Sequence, residues 1–150
     1  MLEVGTKAPL FSLPDKDGNI VNLEDFLGKK VIIYFYPKDN TPGCTKQANT
    51  YKEHYESFIQ KDAIVIGISK DSVKSHLKFA SKYQLPFILL SDANLEVVNL
   101  YDVWKEKKLY GVTYMGVVRT TYLIDEFGYI IRAEENVKPD KDALNMVCSL

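Results

Sequence analysis

Short apolar runs alternate with segments of helical periodicity along most of the chain. We predict strands at residues 8–13, 31–36, 63–69, 87–90, 120–125 and 129–133. We predict helices at residues 45–60, 72–83, 95–101 and 140–148. Because strands that alternate with helices build layered sheets, the pattern predicts an α/β fold. The nearly continuous apolar run at residues 31–36 is typical of a strand that is buried on both faces of its sheet.

Two short turns interrupt this alternation. The turn Glu126-Phe127-Gly128 joins the last two predicted strands directly, which indicates a hairpin. A second turn of this kind, Asp15-Lys16-Asp17-Gly18, lies near the start of the chain. The pattern therefore predicts a mixed central sheet that is parallel inside and carries an antiparallel hairpin at one side.

The length, composition and charge of the chain indicate how many domains it has and which partners it lacks. Its 150 residues are 46% hydrophobic, which is enough to close one core without disulfides or metals. We predict one domain over residues 1–150. The 19 basic residues nearly balance the 20 acidic ones, so the charge indicates neither nucleic acid nor a membrane as a partner. With no signal-peptide pattern and no apolar run long enough to span a bilayer, the sequence predicts a soluble, cytoplasmic protein.

Two cysteines are too few for a disulfide scaffold, so each is either packing or a reagent. Cys44 follows the predicted buried strand at residues 31–36 after a short loop. If Thr41 is the N-cap of the next helix and Pro42 its first residue, Cys44 is the third residue of that helix. Free N–H groups and the positive end of the helix dipole favour an anion there, and the thiolate is the nucleophilic form of cysteine.

The alternative is that Cys44 is a small hydrophobic residue at a helix start and that Thr41 is only a cap. The order strand, loop, cap, Pro42, Gly43 and Cys44 favours the reactive interpretation.

The loop also resembles a known family. The pattern Pro37-x-x-x-Thr41-x-x-Cys44 is similar to the active-site signature of peroxiredoxins, and residues 34–48 resemble the bacterioferritin-comigratory, or peroxiredoxin Q, branch. The resemblance continues over nearly the whole chain. It includes Gly67-Ile68-Ser69 with Asp71, Leu85-Pro86-Phe87, Leu90-Ser91-Asp92, Trp104, and residues 116–125 around Arg119.

The resemblance implies a thioredoxin-like fold, with a mixed central sheet flanked by helices and an N-terminal β extension. It implies a thiol-dependent peroxidase that reduces hydrogen peroxide and organic hydroperoxides with no metal or organic cofactor. Thioredoxin or another thiol would be the reductant, and the chain would be a monomer, with a weak dimer as the alternative.

The resemblance also implies roles for single residues. Cys44 would be the peroxidatic cysteine, Thr41 the substrate-binding hydroxyl, Pro37 the residue that shields the sulfur, and Arg119 the catalytic arginine. We expect Tyr36, Gly43 and Tyr114 to line the substrate pocket.

A second argument for Arg119 comes from its neighbours. Residues 117–118 and 120–124 on either side of it are apolar or β-prone and look buried. A buried guanidinium needs a partner or a task, so we favour the catalytic role over a solvated charge at a strand end.

The sequence departs from the branch where a resolving cysteine is expected. Asn49 occupies the position five residues after Cys44, and residues 79–83 contain no cysteine. Cys148 shares a helical face with Ala143, Leu144 and Val147, so we prefer buried packing for it. The alternative is that Cys148 resolves Cys44. A one-cysteine mechanism with an external thiol is our prediction.

Other polar features carry weaker signals. We interpret His54 and His76 as solvated helix residues rather than metal ligands, and residues 105–108 as a solvated loop near the active site. A thioredoxin-like disulfide oxidoreductase is disfavoured because Gln47 stands where a Cys-x-x-Cys partner would be. A peroxide sensor or relay protein stays open as an alternative function.

Overall fold

A computed structural model describes all 150 residues and shows a mixed α/β fold around a five-stranded sheet. The strands are β1 Ser12–Pro14, β2 Ile20–Asn22, β3 Lys30–Phe35, β4 Ala63–Ser69, β5 Ile88–Ser91, β6 Trp104–Leu109, β7 Val112–Val117, β8 Thr120–Ile124 and β9 Ile130–Glu135. The helices are α1 Pro42–Glu53, α2 Tyr55–Gln60, α3 Val73–Tyr83, α4 Glu96–Leu100 and α5 Asp142–Val147, with a 3₁₀ turn at Leu23–Phe26.

The central sheet has the order β5-β4-β3-β8-β9. Strands β3, β4 and β5 run parallel, while β8 and β9 run antiparallel to their neighbours. The prediction of a parallel interior with an antiparallel hairpin at one side is therefore confirmed. The strands β1 and β2 form the N-terminal hairpin that the resemblance implied.

Alternate residues of β3 face two separate cores, because successive side chains of a strand point to opposite faces. Val31, Ile33 and Phe35 pack with the N-terminal segment and α4. Ile32 and Tyr34 pack with side chains of α1, α2, α3 and α5. Every residue from Val31 to Tyr36 is buried, which confirms the prediction of a two-sided strand.

Both predicted turns form with the chemistry that their sequences indicate. The carboxylate of Asp125 accepts hydrogen bonds from the N–H groups of Phe127 and Tyr129, each at 2.9 Å. Gly128 has φ +91°, a left-handed conformation that favours glycine. Asp15 accepts in the same way from Asp17 and Asn19.

Three segments differ from the prediction. The predicted strand over residues 8–13 is wrong for most of its length, because this segment contains Pro9, which has no N–H for a ladder. The predicted helix over residues 45–60 starts earlier and is divided at His54 into α1 and α2. The predicted loop over residues 105–108 is wrong, because these residues belong to β6, which pairs with β7 in a separate hairpin.

The parallel strands place loops from different parts of the chain at one edge of the sheet. The segments that follow β3 and β4 both leave from the carboxyl ends of these strands, where open α/β sheets usually carry their sites. Cys44 and Asp71 lie in these two segments. None of the helices has the length and apolar character that crossing a membrane requires.

Candidate active site

Cys44 lies in the first turn of α1, directly after the loop that leaves β3. Thr41 has the extended backbone of an N-cap residue, with φ −92° and ψ 157°, and Pro42 is the first helical residue. The predicted position of Cys44 as the third residue of the helix is therefore confirmed. The cysteine is 2% exposed, and it is a free thiol.

The side chain of Thr41 does not cap the helix. Its hydroxyl donates to the carbonyl oxygen of Lys38 at 2.9 Å and makes no hydrogen bond to an N–H of α1. Because the first N–H groups of a helix have no intrahelical acceptors, they stay available for an anion beside Cys44. The Thr41 hydroxyl oxygen keeps its lone pairs for a further donor.

Arg119 lies between β7 and β8, and its guanidinium contacts the sulfur of Cys44. Its Nη2 lies 3.5 Å from the Sγ atom of Cys44, and its Nη1 donates to Oε1 of Gln47 at 2.6 Å. The guanidinium is half-buried, and no carboxylate lies within ion-pair distance of it. A half-buried cation without a carboxylate partner stabilises negative charge that develops next to it.

Gln47 is fixed in turn by a buried carboxylate at the start of α5. Its Nε2 donates to Oδ2 of Asp142 at 3.0 Å, and the same oxygen accepts from the hydroxyls of Tyr51 at 2.6 Å and Thr121 at 2.7 Å. Burial raises the pKa of Asp142, while these hydrogen bonds act in the opposite direction. With the amide nitrogen held by Asp142, the amide oxygen faces Arg119.

Sequence reasoning missed the site roles of Gln47 and Asp142. Gln47 follows Cys44 by three residues, a spacing that places two helical residues on one face, so this signal was present. Nothing in the local pattern marked Asp142, because its contacts are made by residues that are distant in the chain.

The other residues predicted for the pocket differ in their exposure to solvent and in their contacts. A Cβ atom on Gly43 would lie 3.1 Å from Nη2 of Arg119, so the absence of a side chain lets the guanidinium approach the helix. Tyr114 is 43% exposed on β7. Tyr36 is 1% exposed, and its hydroxyl donates to Oδ1 of Asp39 at 2.6 Å. Pro37 is half-buried at the start of the loop.

Lys107 adds a second cation to this region. It is half-buried on β6, and its Nζ donates to the carbonyl oxygen of Val117 at 3.1 Å. Burial lowers the pKa of Lys107, and the charge of Arg119 lowers it further. Residues 105–108 therefore differ from the solvated loop that the sequence predicted.

Two predictions about solvent exposure are wrong. Cys148 is exposed at the end of α5, because Ala143 and Met146 form the buried face of this helix instead. His76 is fully buried, with both ring nitrogens hydrogen-bonded. In both cases the sequence pattern of a single helix did not reveal which face the rest of the protein covers.

Comparison with known proteins gives consistent matches. The pattern of the AhpC/TSA family matches residues 4–133. The chain is 46% identical over 137 residues to Peroxiredoxin Bcp of Bacillus subtilis, a match that covers 91% of this chain and 87% of the relative. It is 44% identical over 137 residues to Peroxiredoxin Bcp of Escherichia coli, with 91% and 88% covered.

Solved structures agree with the sequence relatives. The crystal structure of a cysteine-to-serine mutant of PrxQ from Xylella fastidiosa superposes with a TM-score of 0.94 at 32% identity, over 99% of this chain and 95% of that one. A structure of the Xanthomonas campestris bacterioferritin comigratory protein, described for its alkyl peroxide reduction, superposes with a TM-score of 0.88 at 34% identity, over 93% and 88% of the chains.

Proposed function

The chain belongs to the AhpC/TSA family and to its Bcp, or peroxiredoxin Q, branch, and we propose that its peroxidase reaction is carried out by Cys44. A peroxiredoxin of this branch is a thiol peroxidase that reduces peroxides. The observation that carries the assignment of Cys44 is the Arg119 guanidinium 3.5 Å from its sulfur at the start of a helix.

The reaction that we propose has two stages. In the first stage, the thiolate of Cys44 attacks the terminal oxygen of the hydroperoxide R–O–OH, an S–O bond forms and the O–O bond breaks. The sulfur loses two electrons and the peroxide gains them. The departing RO⁻ takes a proton from solvent and leaves as an alcohol, or as water when the substrate is hydrogen peroxide. Cys44 is left as a sulfenic acid.

Arg119 supports both ends of this stage. Its charge favours the thiolate before attack and lies beside the oxygen atoms on which negative charge develops. Gln47 and Asp142 hold the guanidinium in place, since the amide oxygen accepts from Nη1 at 2.6 Å while the amide nitrogen is held by the carboxylate at 3.0 Å. We assign Gln47 and Asp142 a positioning role.

Thr41 and Pro37 complete the assignment. The hydroxyl oxygen of Thr41 has lone pairs that can accept the O–H of the incoming hydroperoxide, because its proton is already given to Lys38. Pro37 is half-buried at the start of the same loop and, with the neighbouring backbone, limits the access of water to Cys44.

For the second stage we propose a one-cysteine mechanism. An external thiol, from thioredoxin or another reductant, attacks the sulfur of the sulfenic acid, forms a mixed disulfide and releases water. A second thiol then frees Cys44. The absence of a cysteine at position 49 and at residues 79–83 supports an external partner. We also propose that the chain is one domain and acts as a monomer.

The test is peroxide-dependent NADPH oxidation coupled to thioredoxin and its reductase, compared for wild type, Cys44→Ser and Cys148→Ser. We expect turnover to be lost only in Cys44→Ser. Mass spectrometry of the oxidised wild type should show a sulfenic acid on Cys44 and no bond between the two cysteines.

Two other outcomes would change the proposal. Loss of turnover in Cys148→Ser, together with a Cys44–Cys148 disulfide, would make Cys148 the resolving cysteine. Rapid oxidation of Cys44 by peroxide without turnover by any thiol reductant would favour the peroxide sensor. An unoxidised Cys44 in wild type would refute the catalytic assignment itself.

A further inference from the structure

A buried pair of ionisable residues lies beneath the loop that carries the active site, and the reaction described above does not use it. The Nδ1 atom of His76 lies 2.6 Å from Oδ2 of Asp39, with the two side chains 0% and 3% exposed. Asp39 belongs to the loop between β3 and α1, two residues before Thr41 and five before Cys44. His76 lies in α3, on a different part of the chain.

The partners of His76 define its hydrogen-bonding state. Its Nε2 lies 2.9 Å from the carbonyl oxygen of Leu90, which can only accept, so Nε2 carries a proton. Its Nδ1 faces a carboxylate oxygen, so a second proton lies between the ring and Asp39. Both ring nitrogens are therefore used in hydrogen bonds, and the ring joins Asp39 to the backbone of β5.

Two further side chains donate to the carboxylate of Asp39, and its backbone N–H is also bound. Its Oδ1 accepts from the hydroxyl of Tyr36 at 2.6 Å, and its Oδ2 also accepts from the hydroxyl of Ser75 at 2.8 Å. Its own N–H donates to Oδ2 of Asp71 at 2.9 Å. Tyr36, Ser75 and His76 together fix the position of this buried side chain.

These contacts tie the active-site loop to two other elements. His76 and Ser75 connect Asp39 to α3, and the Leu90 carbonyl connects His76 to β5. The next residue after Asp39, Asn40, has φ 59°, a left-handed conformation that Asn adopts more readily than most residues. Thr41 and the start of α1 follow at once, so their position depends on where Asp39 is held.

We propose that His76 is a positioning residue for the peroxidatic reaction, which acts through Asp39 to hold Thr41 and the first turn of α1 in the reactive arrangement around Cys44. The contact between His76 and Asp39 fixes the loop before Cys44, while Arg119 contacts the sulfur itself. This proposal rests on the proposed function only for its peroxide measurement.

Two substitutions separate the two hydrogen bonds of His76. The amide nitrogen of Asn corresponds in position to Nδ1, so His76→Asn retains a donor to Asp39 and loses the donor to Leu90. The amide nitrogen of Gln corresponds to Nε2, so His76→Gln retains the donor to Leu90 and loses the donor to Asp39. Both variants replace the imidazole ring with an amide, which makes each the control for the other.

The experiment measures the single-turnover oxidation of Cys44 by hydrogen peroxide over a range of pH. It also measures the alkylation of Cys44 by iodoacetamide and the hydrogen exchange of amides 38–45. We expect His76→Gln to slow oxidation on the order of 10-fold to 100-fold, because a small displacement of reacting groups is costly. We expect faster amide exchange in this loop for the same variant, and oxidation close to wild type for His76→Asn.

Two further variants keep the test decisive. Lys78→Gly changes an exposed residue of the same helix, so it should weaken α3 and leave oxidation unchanged. Ser75→Ala removes one donor to Asp39 from a half-buried position, and it should slow oxidation in the same direction even if His76→Gln does not fold.

Equal oxidation and exchange in His76→Asn and His76→Gln, or an unchanged Ser75→Ala, would overturn the proposal. A wild-type Cys44 that peroxide does not oxidise would instead refute the proposed function. The alkylation and exchange measurements would still decide the role of His76 in that case.

Discussion

The guanidinium of Arg119 lies against the sulfur of Cys44, with Nη2 3.5 Å from Sγ, although the two residues are 75 positions apart in the chain. The same guanidinium donates through Nη1 to Gln47, one turn after the cysteine. Its two nitrogens therefore contact the Cys44 sulfur and a second side chain of the same helix. The two contacts made by this forked guanidinium are the basis for the first prediction, on the rate of Cys44 oxidation.

The substitution Arg119→Lys retains the charge and removes the fork. One ammonium cannot hold the Gln47 oxygen and the sulfur in the same geometry, so we expect the second-order rate of Cys44 oxidation to fall on the order of 10²-fold to 10³-fold. Stopped-flow measurement with hydrogen peroxide checks this result. Arg132→Lys is the matched control, because Arg132 contacts Glu134 and Ser149 instead. Full activity in Arg119→Lys would show that charge alone is sufficient.

Thr41 allows a stability role to be separated from a catalytic one. Because its hydroxyl makes no capping bond to α1, Thr41→Val should change the free energy of unfolding by less than about 1 kcal/mol, below the usual cost of losing a cap. The same variant should slow peroxide oxidation on the order of 10²-fold, whereas Thr41→Ser should retain most of the rate. Chemical denaturation and stopped-flow kinetics on both variants test the two statements. A large loss of stability in Thr41→Val would contradict the structure.

Two stacked tyrosines in the core differ in one respect. Their ring centroids are 4.6 Å apart, but the hydroxyl of Tyr51 donates to Asp142 while the hydroxyl of Tyr34 has no hydrogen-bond partner. We expect Tyr51→Phe to lower the free energy of unfolding by about 1.5–3 kcal/mol, and Tyr34→Phe to leave it unchanged or raise it by about 1 kcal/mol. Urea denaturation of the two variants provides the comparison. Equal losses would mean that the Tyr34 hydroxyl is paired in solution.

Asp142 should contribute a specific pH dependence to stability. Burial raises the pKa of this carboxyl in the folded protein, so the folded state binds its proton more tightly than the unfolded state does. The free energy of unfolding should therefore fall as the pH rises from the ordinary range of a carboxyl through the raised pKa.

Asp142→Asn removes this proton, so the variant should lack that fall. Urea denaturation of wild type and Asp142→Asn at several pH values measures the difference between them. If the free energy of unfolding of wild type rose with pH relative to that of Asp142→Asn over this range, the direction of the pKa shift would be contradicted. Asp92→Asn is the control variant. Burial also raises the pKa of the Asp92 carboxyl, which accepts from the N–H of Val98 and has no contact with Gln47 or Arg119.

The site was predictable from the sequence where its geometry is local. The order of Thr41, Pro42 and Cys44 defines the start of a helix within four residues, so the position of Cys44 in α1 followed from the pattern alone. The buried strand β3 followed for the same reason, since a continuous apolar run can be satisfied only inside a two-sided sheet. The family resemblance then pointed to Arg119, which no local pattern connects to the cysteine.

The hairpin of β6 and β7 shows what the pattern could not reveal. Its strands contain Lys105-Glu106-Lys107-Lys108, and they lie outside the central sheet, so they lack the apolar alternation that marks a half-buried strand. Only the base of the hairpin reaches the core, where Val117 is buried and Trp104 packs against the core residues.

The sequence by itself determined the class of fold and the position of Cys44 in the first turn of a helix, because these depend on residues adjacent in the chain. Only the tertiary structure decided which polar side chains became buried partners. His76 and Asp142 looked like ordinary helix residues, yet the packing of α3 and α5 against the sheet encloses both of them. Burial is a property of what covers a residue, and the covering elements lie far away in the sequence.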